Sequence, residues 1–364
     1  MYFHFVRFNQ NRIFFFVEKT IIMYSQLNPL ILRSLTTSAC YDNLSIESLD
    51  DKSTTKITTI LAVHDNRKIA IIKIDNENDV ANIIDSTLID FSQNSKSNPL
   101  QMIKMIRLQN KIYLVVLSSK TLKIYSTESG YKILFEQNIE NLDKKLNELT
   151  ITSIEKLNEN VFGFTTRNRL HLFEMTNNNG FVEKEFHQDL KSSTTSQIIK
   201  FIKIDDQLQR FGLFENFTKI TIWQLNEKNF SFTQITTFDL HANTKLTCVQ
   251  VFKTFLLIGT VAGQIQIVNI KDGLLMGEIQ SHIKCVTSMD VATNTGYLIS
   301  GSEDSYARLF RLEQINENEF RVEFLQQFIA PNEMIFGTKF LNTNGSSMAI
   351  TTFESNQIKI FKMK

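Results

Sequence analysis

Residues 298–310 read LISGSEDSYARLF: an apolar pair, a Ser-Gly-Ser turn, an acidic pair, and an alternating strand that ends on Phe310. Residues 256–269, LLIGTVAGQIQIVN, follow the same pattern, and Gly259 stands 42 residues before Gly301. A repeat of about 40 to 45 residues is the signature of a four-stranded propeller blade. The stretch therefore predicts a repeat protein built from β-strands.

The same strand ending recurs along the chain. In each copy, apolar and polar residues alternate up to a large apolar residue, which is typical of a strand with one buried face. Asn, Asp or Gly residues follow most copies and suit a tight hairpin into a fourth strand. Together the copies predict an all-β fold, a seven-bladed β-propeller. The seven endings are Ile72, Tyr125, Phe173, Trp223, Val268, Phe310 and Phe361.

The last predicted blade is short of one strand. The sequence given ends at Lys364, directly after the strand that closes on Phe361, so a fourth strand must come from elsewhere. The N-terminal segment LILRSL, residues 30–35, is the predicted donor. Closing the last blade in this way leaves no open sheet edge between it and the first blade. We therefore expect a single propeller domain over residues 23–364.

The first 22 residues differ in composition from the rest. MYFHFVRFNQNRIFFFVEKTII is rich in Phe, and its longest apolar run, Ile13 to Val17, is too short for the core of a signal peptide. We interpret residues 1–22 as an N-terminal extension, either disordered or the product of a misassigned start, with Met23 as the true start. An amphipathic targeting or membrane-surface segment is the alternative.

Charge and cysteine usage exclude several classes of partner. Lys and Arg number 39 against 38 Asp and Glu, a net charge of +1, so no general field attracts nucleic acid or anionic lipid. The widely separated Cys40, Cys248 and Cys285 suit buried positions in a reducing compartment better than a metal site. No apolar run reaches the roughly 18 residues that a membrane helix needs. We expect no cofactor, no metal, no nucleic acid and no membrane insertion.

One repeat, residues 282–311, resembles a WD repeat. It has His282, a strand Ser300, Asp304 in the following turn, and an aromatic residue, Phe310, at the strand end. In WD repeats the Asp accepts a hydrogen bond from the His, the His from the Ser, and the Ser from a Trp indole. The resemblance implies a structural hydrogen-bond network of these residues. It stops at the Ser hydroxyl because Phe310 has no N–H.

The resemblance to the WD-repeat family covers the chain from about residue 23, although only two repeats are clear and none ends in Trp-Asp. A closer resemblance to one member of that family is carried by residues 259–282, 298–312 and 337–353, and by NPLILRSLTTSACYDNLSIESL at residues 28–49. It implies a propeller without enzymatic activity that serves as an interaction scaffold.

Catalysis has little support in the sequence. A Ser, a His and an Asp lie in one repeat, as in a catalytic triad, but the WD repeat requires the same three residue types for its structure. A second pair, His64 and Asp65, falls in a predicted turn between strands, where polar residues are expected. The chain has no P-loop and no G-x-G-x-x-G after a strand. We predict that the protein is not an enzyme.

Polar loops between the predicted blades favour protein partners, because loops carry function more often than strands do. We predict a protein-interaction scaffold or adaptor in the cytoplasm, monomeric outside its complex, such as a ligase substrate receptor or a signalling scaffold. The alternative is a structural component of a large ciliary or cytoskeletal assembly. The basic pair Lys144 and Lys145 is flanked by acids and reads as a solvated loop. The loops are residues 92–99, 138–149, 187–197, 240–245, 281–284 and 328–333.

Overall fold

Strands supply all of the regular secondary structure that the described residues contain. Within them, 31 strands pair into seven sheets. The chain divides into two compact units, residues 1–89 with 244–364 and residues 90–243. The structure, a computed structural model, describes residues 6–8, 12–14, 24–27, 29–32, 43–50, 57–64, 68–75, 82–90, 99–139, 150–176, 180–184, 188–240, 245–316 and 319–363.

The first unit begins with eight strands. The last four of them pair in chain order as one antiparallel sheet, and the first four join strands from the C-terminal part of the chain. They are β1 (Val6–Phe8), β2 (Arg12–Phe14), β3 (Tyr24–Gln26), β4 (Leu30–Ile31), β5 (Leu44–Asp50), β6 (Ile57–His64), β7 (Lys68–Asp75) and β8 (Asn82–Asp90).

The second unit holds three antiparallel sheets of four strands, each paired in chain order. The second strand of each sheet is almost wholly buried, because it has a neighbour on either side and packed side chains on both faces. The strands are β9 (Leu100–Leu108), β10 (Lys111–Ser118), β11 (Thr121–Ser126), β12 (Ile133–Asn138), β13 (Ile151–Lys156), β14 (Val161–Thr166), β15 (Leu170–Met175), β16 (Phe181–Lys184), β17 (Ile198–Asp205), β18 (Arg210–Glu215), β19 (Lys219–Asn226) and β20 (Ser231–Asp239).

The C-terminal strands complete the first unit with three more sheets. Apolar clusters between neighbouring sheets form its core, and Phe255, Phe310 and Phe320 share one of them. The strands are β21 (Leu246–Phe252), β22 (Phe255–Thr260), β23 (Gln264–Asn269), β24 (Leu275–Gln280), β25 (Val286–Ala292), β26 (Tyr297–Ser302), β27 (Tyr306–Asn316), β28 (Glu319–Ile329), β29 (Ile335–Phe340), β30 (Ser347–Thr352) and β31 (Gln357–Met363).

The predicted strand endings are confirmed. Each lies in the third strand of its sheet, because the alternating pattern marks a strand with one face in the core. The predicted fourth strands are also present, as β8, β12, β16, β20, β24 and β28. Between the third and fourth strands, Gly130 and Gly273 adopt positive φ angles of 68° and 73°, as tight hairpins require. The seven third strands are β7, β11, β15, β19, β23, β27 and β31.

An N-terminal segment does pair with the last strand, but earlier in the chain than predicted. β3 pairs antiparallel with β31, with Tyr24 opposite Met363, and β4 adds two further residue pairs. The predicted donor, residues 30–35, contributes the ladder pairs of Leu30 and Ile31, and the N–H of Leu32 donates to the carbonyl of Asn356 at 2.6 Å. Residues 33–35 lie outside the described residues. Tyr24 decides the register, because its buried ring packs edge-to-face on Phe328 at 6.0 Å and its hydroxyl donates to the Gly345 carbonyl.

Part of the predicted N-terminal extension belongs to a sheet. β1 pairs with β2 and also with the outer edge of β24, with Val6 opposite Ile279. That residues 1–22 are an N-terminal extension, either disordered or the product of a misassigned start, stays a prediction. The choice of Met23 as the true start stays a prediction.

That all the sheets close into one seven-bladed ring, as a single domain of residues 23–364, stays a prediction. Cys248 and Cys285 are buried and form no disulfide among the described residues, and Cys40 lies outside them. Among the described residues, none forms a helix with the length and hydropathy that a membrane crossing requires. Their His, Cys, Asp and Glu side chains form no group of three placed to hold a metal.

Candidate functional site

The four residues predicted from the sequence lie in or next to one sheet, β25–β28. His282 stands in the connection from β24 into this sheet, Ser300 lies near the end of β26, and Asp304 lies in the turn that leads into β27. Phe310 lies in β27, opposite Leu298. The turn and the connection meet at one end of the sheet, which brings the three polar side chains together.

The three polar side chains form a continuous chain of hydrogen bonds. His282 Nδ1 lies 3.1 Å from each carboxylate oxygen of Asp304, and His282 Nε2 lies 2.9 Å from Ser300 Oγ. The side chains of His282 and Asp304 are 0% and 1% exposed. Ser300 is also fully buried, and its hydroxyl lies 3.0 Å from Ser281 Oγ. Burial makes each of these bonds necessary, because an unpaired polar group has no water to replace its partner.

Burial and hydrogen bonding together determine the protonation states of His282 and Asp304. Burial lowers the pKa of His282, so the imidazole is neutral at neutral pH. Burial alone would raise the pKa of Asp304, but hydrogen bonds from His282, Ile283 and Tyr306 outweigh it and lower that pKa to about 2. An ionised carboxylate only accepts, so Nδ1–H of His282 donates to Asp304 and the hydroxyl of Ser300 donates to Nε2.

Asp304 does more than orient the imidazole. It accepts hydrogen bonds from the backbone N–H of Ile283 and that of Tyr306, both at 3.1 Å. It therefore ties the connection before β25 to the turn before β27. Arg308 lies 3.7 Å from the carboxylate and also donates to the backbone carbonyl of Ser281. Neither Ser281 nor Arg308 was predicted from the sequence to belong to this network. The position of Arg308, four residues after Asp304, is the one signal in the sequence that could have indicated it.

Phe310 takes no part in the polar chain. It is buried in the apolar cluster beneath it, 5.8 Å from Phe324 in an edge-on contact. The only tryptophan, Trp223, lies in β19 of the other unit, and its buried indole N–H has no hydrogen-bond partner among the described residues. Trp223 therefore supplies no N–H to the network of His282, Ser300 and Asp304, and Phe310 stands at the strand-end position of that repeat.

A buried carboxylate in the second unit was missed. Glu215, at the end of β18, is 1% exposed and accepts hydrogen bonds from both the backbone N–H and the hydroxyl of Ser192, the latter at 2.7 Å. Ser192 belongs to the predicted loop of residues 187–197, which therefore folds onto the sheet. In the sequence Glu215 sits at an ordinary strand end, and only the packing of that loop makes its carboxylate structural.

The structure describes only some of the other residues that were named from the sequence. His64 is buried at the end of β6, and its neighbour Asp65 lies outside the described residues. The basic pair Lys144 and Lys145 also lies outside them, as do residues 92–98 of the first predicted loop. Of the six predicted loops, 281–284 and 328–333 are described throughout.

Gly263 holds the backbone of the network in place. Its carbonyl accepts a hydrogen bond from the N–H of His282 at 2.8 Å, and its φ is +82°. A Cβ at this position would lie 2.2 Å from the backbone oxygen of His282. The close approach of two backbones therefore requires glycine here.

We expect Gly263→Ala to destabilise the fold by about 1 kcal/mol more than Gly130→Ala does, because the added methyl collides with backbone that cannot yield. Gly130 is the matched control, since its φ is +68° and a Cβ there meets nothing within 4 Å. Urea unfolding of both variants measures the difference. Equal losses would mean that only the φ angle matters at Gly263.

The protonation of His282 predicts a loss of stability on mild acidification. The unfolded imidazole titrates near pH 6.5 and the folded one lower, so below about 6.5 the unfolded state binds more protons and the free energy of unfolding falls. Between pH 7.5 and 5.5 the loss should be about 1 kcal/mol larger in the wild-type protein than in His282→Gln, as measured by urea unfolding. Asp304 adds a second loss between about pH 4 and 2. An identical pH dependence in the two proteins would contradict the neutral assignment.

The sheets and the network together define the class of protein. Four-stranded antiparallel sheets paired in chain order, with a His–Ser–Asp network in one of them, are those of an all-β WD-repeat propeller. A chain in the crystal structure of the mitotic checkpoint complex superposes with a TM-score of 0.66 over 95% of both chains. At 13% identity this likeness shows the fold alone.

The family follows from the sequence match. The model of the WDR54 family matches residues 30–363, so the chain belongs to the WDR54 family. WD repeat-containing protein 54 of Homo sapiens is similar to it at 25% identity over 114 residues, which is 31% of this chain and 34% of the human protein. WD repeat-containing protein 54 of Mus musculus and WD repeat domain 54 of Rattus norvegicus match to the same extent. The chain thus matches about a third of the length of these relatives, and the resemblance expected from its C-terminal half is confirmed.

Proposed function

We propose that this chain is a non-catalytic protein-interaction scaffold or adaptor of the cytoplasm. WD-repeat propellers serve in general as platforms for protein interaction. The observation that carries the non-catalytic part is the complete burial of Ser300 beneath His282 and Asp304. A nucleophile must reach its substrate, and this hydroxyl is enclosed in the sheet and hydrogen-bonded to His282 Nε2 and Ser281 Oγ.

The proposal includes the arrangement of the blades. The pairing of β3 with β31 supports a closed ring of seven blades, because it gives the last sheet its missing fourth strand. A closed ring removes the exposed edge through which sheets associate, so the protein would be monomeric outside its complex. The chain would then present its partners with loops rather than with strand edges.

Proximity crosslinking tests the proposal. The chain, tagged at its C-terminus and expressed at its natural level in its own cell, is crosslinked and its partners are identified by mass spectrometry. We expect reproducible crosslinks from the loops that connect one sheet to the next, such as residues 281–284 and 328–333. An unfolded variant of the same length provides the background.

The identity of the crosslinked proteins separates the adaptor from a structural role. Partners that exchange with a soluble pool, such as a ligase, kinase or coat component, support the adaptor. Crosslinks concentrated on tubulin or axonemal proteins, retained in an insoluble fraction, would replace it with a structural component of a ciliary or cytoskeletal assembly. Failure to find any reproducible partner would contradict both.

A further inference from the structure

Two loops of the first unit expose apolar side chains at the same end of neighbouring sheets. Ile283, in the connection from β24 to β25, is 84% exposed, the largest value among the exposed large apolar residues described. Val261, in the turn from β22 to β23, is 50% exposed, and Ala262 beside it is exposed as well. The two loops touch, because the N–H of His282 donates to the carbonyl of Gly263 at 2.8 Å. We call Val261, Ala262 and Ile283 the apolar ridge.

The backbone under this ridge is fixed. The N–H of Ile283 donates to the buried carboxylate of Asp304 at 3.1 Å, and the N–H of Val261 donates to the carbonyl of Lys245 at 2.9 Å. The side chain of Ile283 is exposed to water while its backbone is fixed by hydrogen bonds. Little conformational entropy is therefore lost when a partner covers it. Protein interfaces concentrate their binding energy in such preorganised anchors.

The charges beside the ridge have one sign. Lys245 and Lys284 are both exposed, and neither ammonium group has an ion-pair or hydrogen-bond partner among the described residues. The turn of Val261 to Gly263 and the connection that holds Ile283 contain no carboxylate. The two acids in the turn before β27 are already engaged: Asp304 is buried in the network, and Glu303 is half-buried with interactions inside the chain.

We propose that the apolar ridge with Lys245 and Lys284 is a docking surface for an acidic, apolar segment of a partner protein. This rests on the proposed scaffold function and names the surface and the chemistry of the partner. The partner's apolar side chains would cover Ile283 and Val261, and its carboxylates would pair with the two lysines. Such pairs chiefly set orientation and the rate of association, whereas the buried apolar anchor sets the lifetime of the complex.

A protein segment fits this surface better than a lipid membrane does. Anionic membranes recruit clusters of roughly four to eight basic residues, and only two lysines flank the ridge. The net charge of +1 adds no long-range attraction to a negative surface. The ridge is also formed by short turns between strands rather than by an amphipathic helix, the element that membrane surfaces select.

The test is selection of a random dodecapeptide display library on the folded protein, followed by fluorescence anisotropy with the enriched peptides. We expect enriched peptides that combine Asp or Glu with apolar residues, and a loss of affinity of about 10-fold or more for Ile283→Asn. The double variant Lys245→Glu, Lys284→Glu should lose the acidic peptides and bind their lysine-substituted versions instead. Both sets of side chains are exposed, so unchanged melting temperatures will show that the variants remain folded.

Leu274→Asn is the matched control. Leu274 is 56% exposed in the hairpin between β23 and β24, at the opposite end of the sheet that carries Val261. We expect this variant to bind the selected peptides as the wild-type protein does. Peptides that bind wild-type and Ile283→Asn equally, or that show no preference for acidic residues, would overturn the proposal. Binding to phosphatidylserine vesicles in the absence of any peptide binding would also overturn it.

Repeating the proximity crosslinking with Ile283→Asn separates this inference from the proposed function. Loss of a partner from Ile283→Asn but not from Leu274→Asn supports the docking surface. Partners that persist in both variants leave the scaffold function standing and overturn the surface. If the wild-type protein itself crosslinks to no partner, that result contradicts the scaffold function on which the docking surface rests.

Discussion

Deleting residues 1–32 will unfold the protein or drive it to associate, whereas deleting residues 1–22 will leave it folded. The longer deletion removes β3 and β4 and uncovers the edge of β31. It also removes three buried side chains, Tyr24, Leu30 and Leu32. At about 1.5 to 3 kcal/mol for each buried side chain, the loss is about 5 kcal/mol or more, which is comparable with the whole stability of an ordinary domain.

Circular dichroism with urea unfolding, together with size-exclusion chromatography, will distinguish the two truncations. A sheet edge left open by the longer deletion offers unpaired N–H and C=O groups to a second copy, so the surviving protein should elute as a dimer or larger species. The shorter deletion is the control, since it removes β1 and β2 but leaves β3 in place. Two monomers of equal stability would show that N-terminal closure does not hold the last sheet together.

Asp304→Ala will lower the free energy of unfolding by about 3 kcal/mol. The substitution leaves the buried N–H of His282 and the backbone N–H groups of Ile283 and Tyr306 without their acceptor, and each unsatisfied buried group costs about 1 to 3 kcal/mol before relaxation. Water entering the space left by the carboxylate will recover part of this loss. Thermal and urea unfolding of the purified variant will give the value.

Asp272→Ala serves as the control for this measurement. Asp272 also accepts a backbone N–H in a hairpin, that of Leu274 at 3.0 Å, but it lies in an exposed turn where water can replace it. Its loss should cost less than about 1 kcal/mol. Should both aspartates cost the same, the network of Asp304 would not be the stabilising feature that its burial indicates.

The sequence predicted the residues of the Asp304 network better than it predicted the strand that pairs with β31. His282, Ser300 and Asp304 could be chosen because their residue types and order match a WD repeat, and the structure brings them within hydrogen-bond distance. Their protonation could not be predicted, because the direction of a pKa shift depends on burial and on every group that faces the side chain. Asp304 illustrates this, since its burial and its hydrogen bonds act in opposite directions.

The segment that pairs with β31, by contrast, could not be predicted correctly from the sequence. Residues 30–35 alternate less clearly than the third strands do, and a short pairing segment leaves little periodicity to read. The segment that pairs most is instead Tyr24–Gln26, where a tyrosine can reach both Phe328 and the carbonyl of Gly345. Neither contact lies near Tyr24 in the sequence, so no local pattern predicts them.

The sequence by itself determined the all-β class, the seven third strands and the residue types of the polar network, because a period of two residues and the chemistry of turns are local properties of the chain. Only the tertiary structure decided the register of the closing strand, the structural use of Glu215, and the presence of Val261 and Ile283 on touching loops beside two unpaired lysines. These features join residues up to several hundred positions apart. Their energies come from burial and from directed hydrogen bonds, which exist only once the sheets have packed.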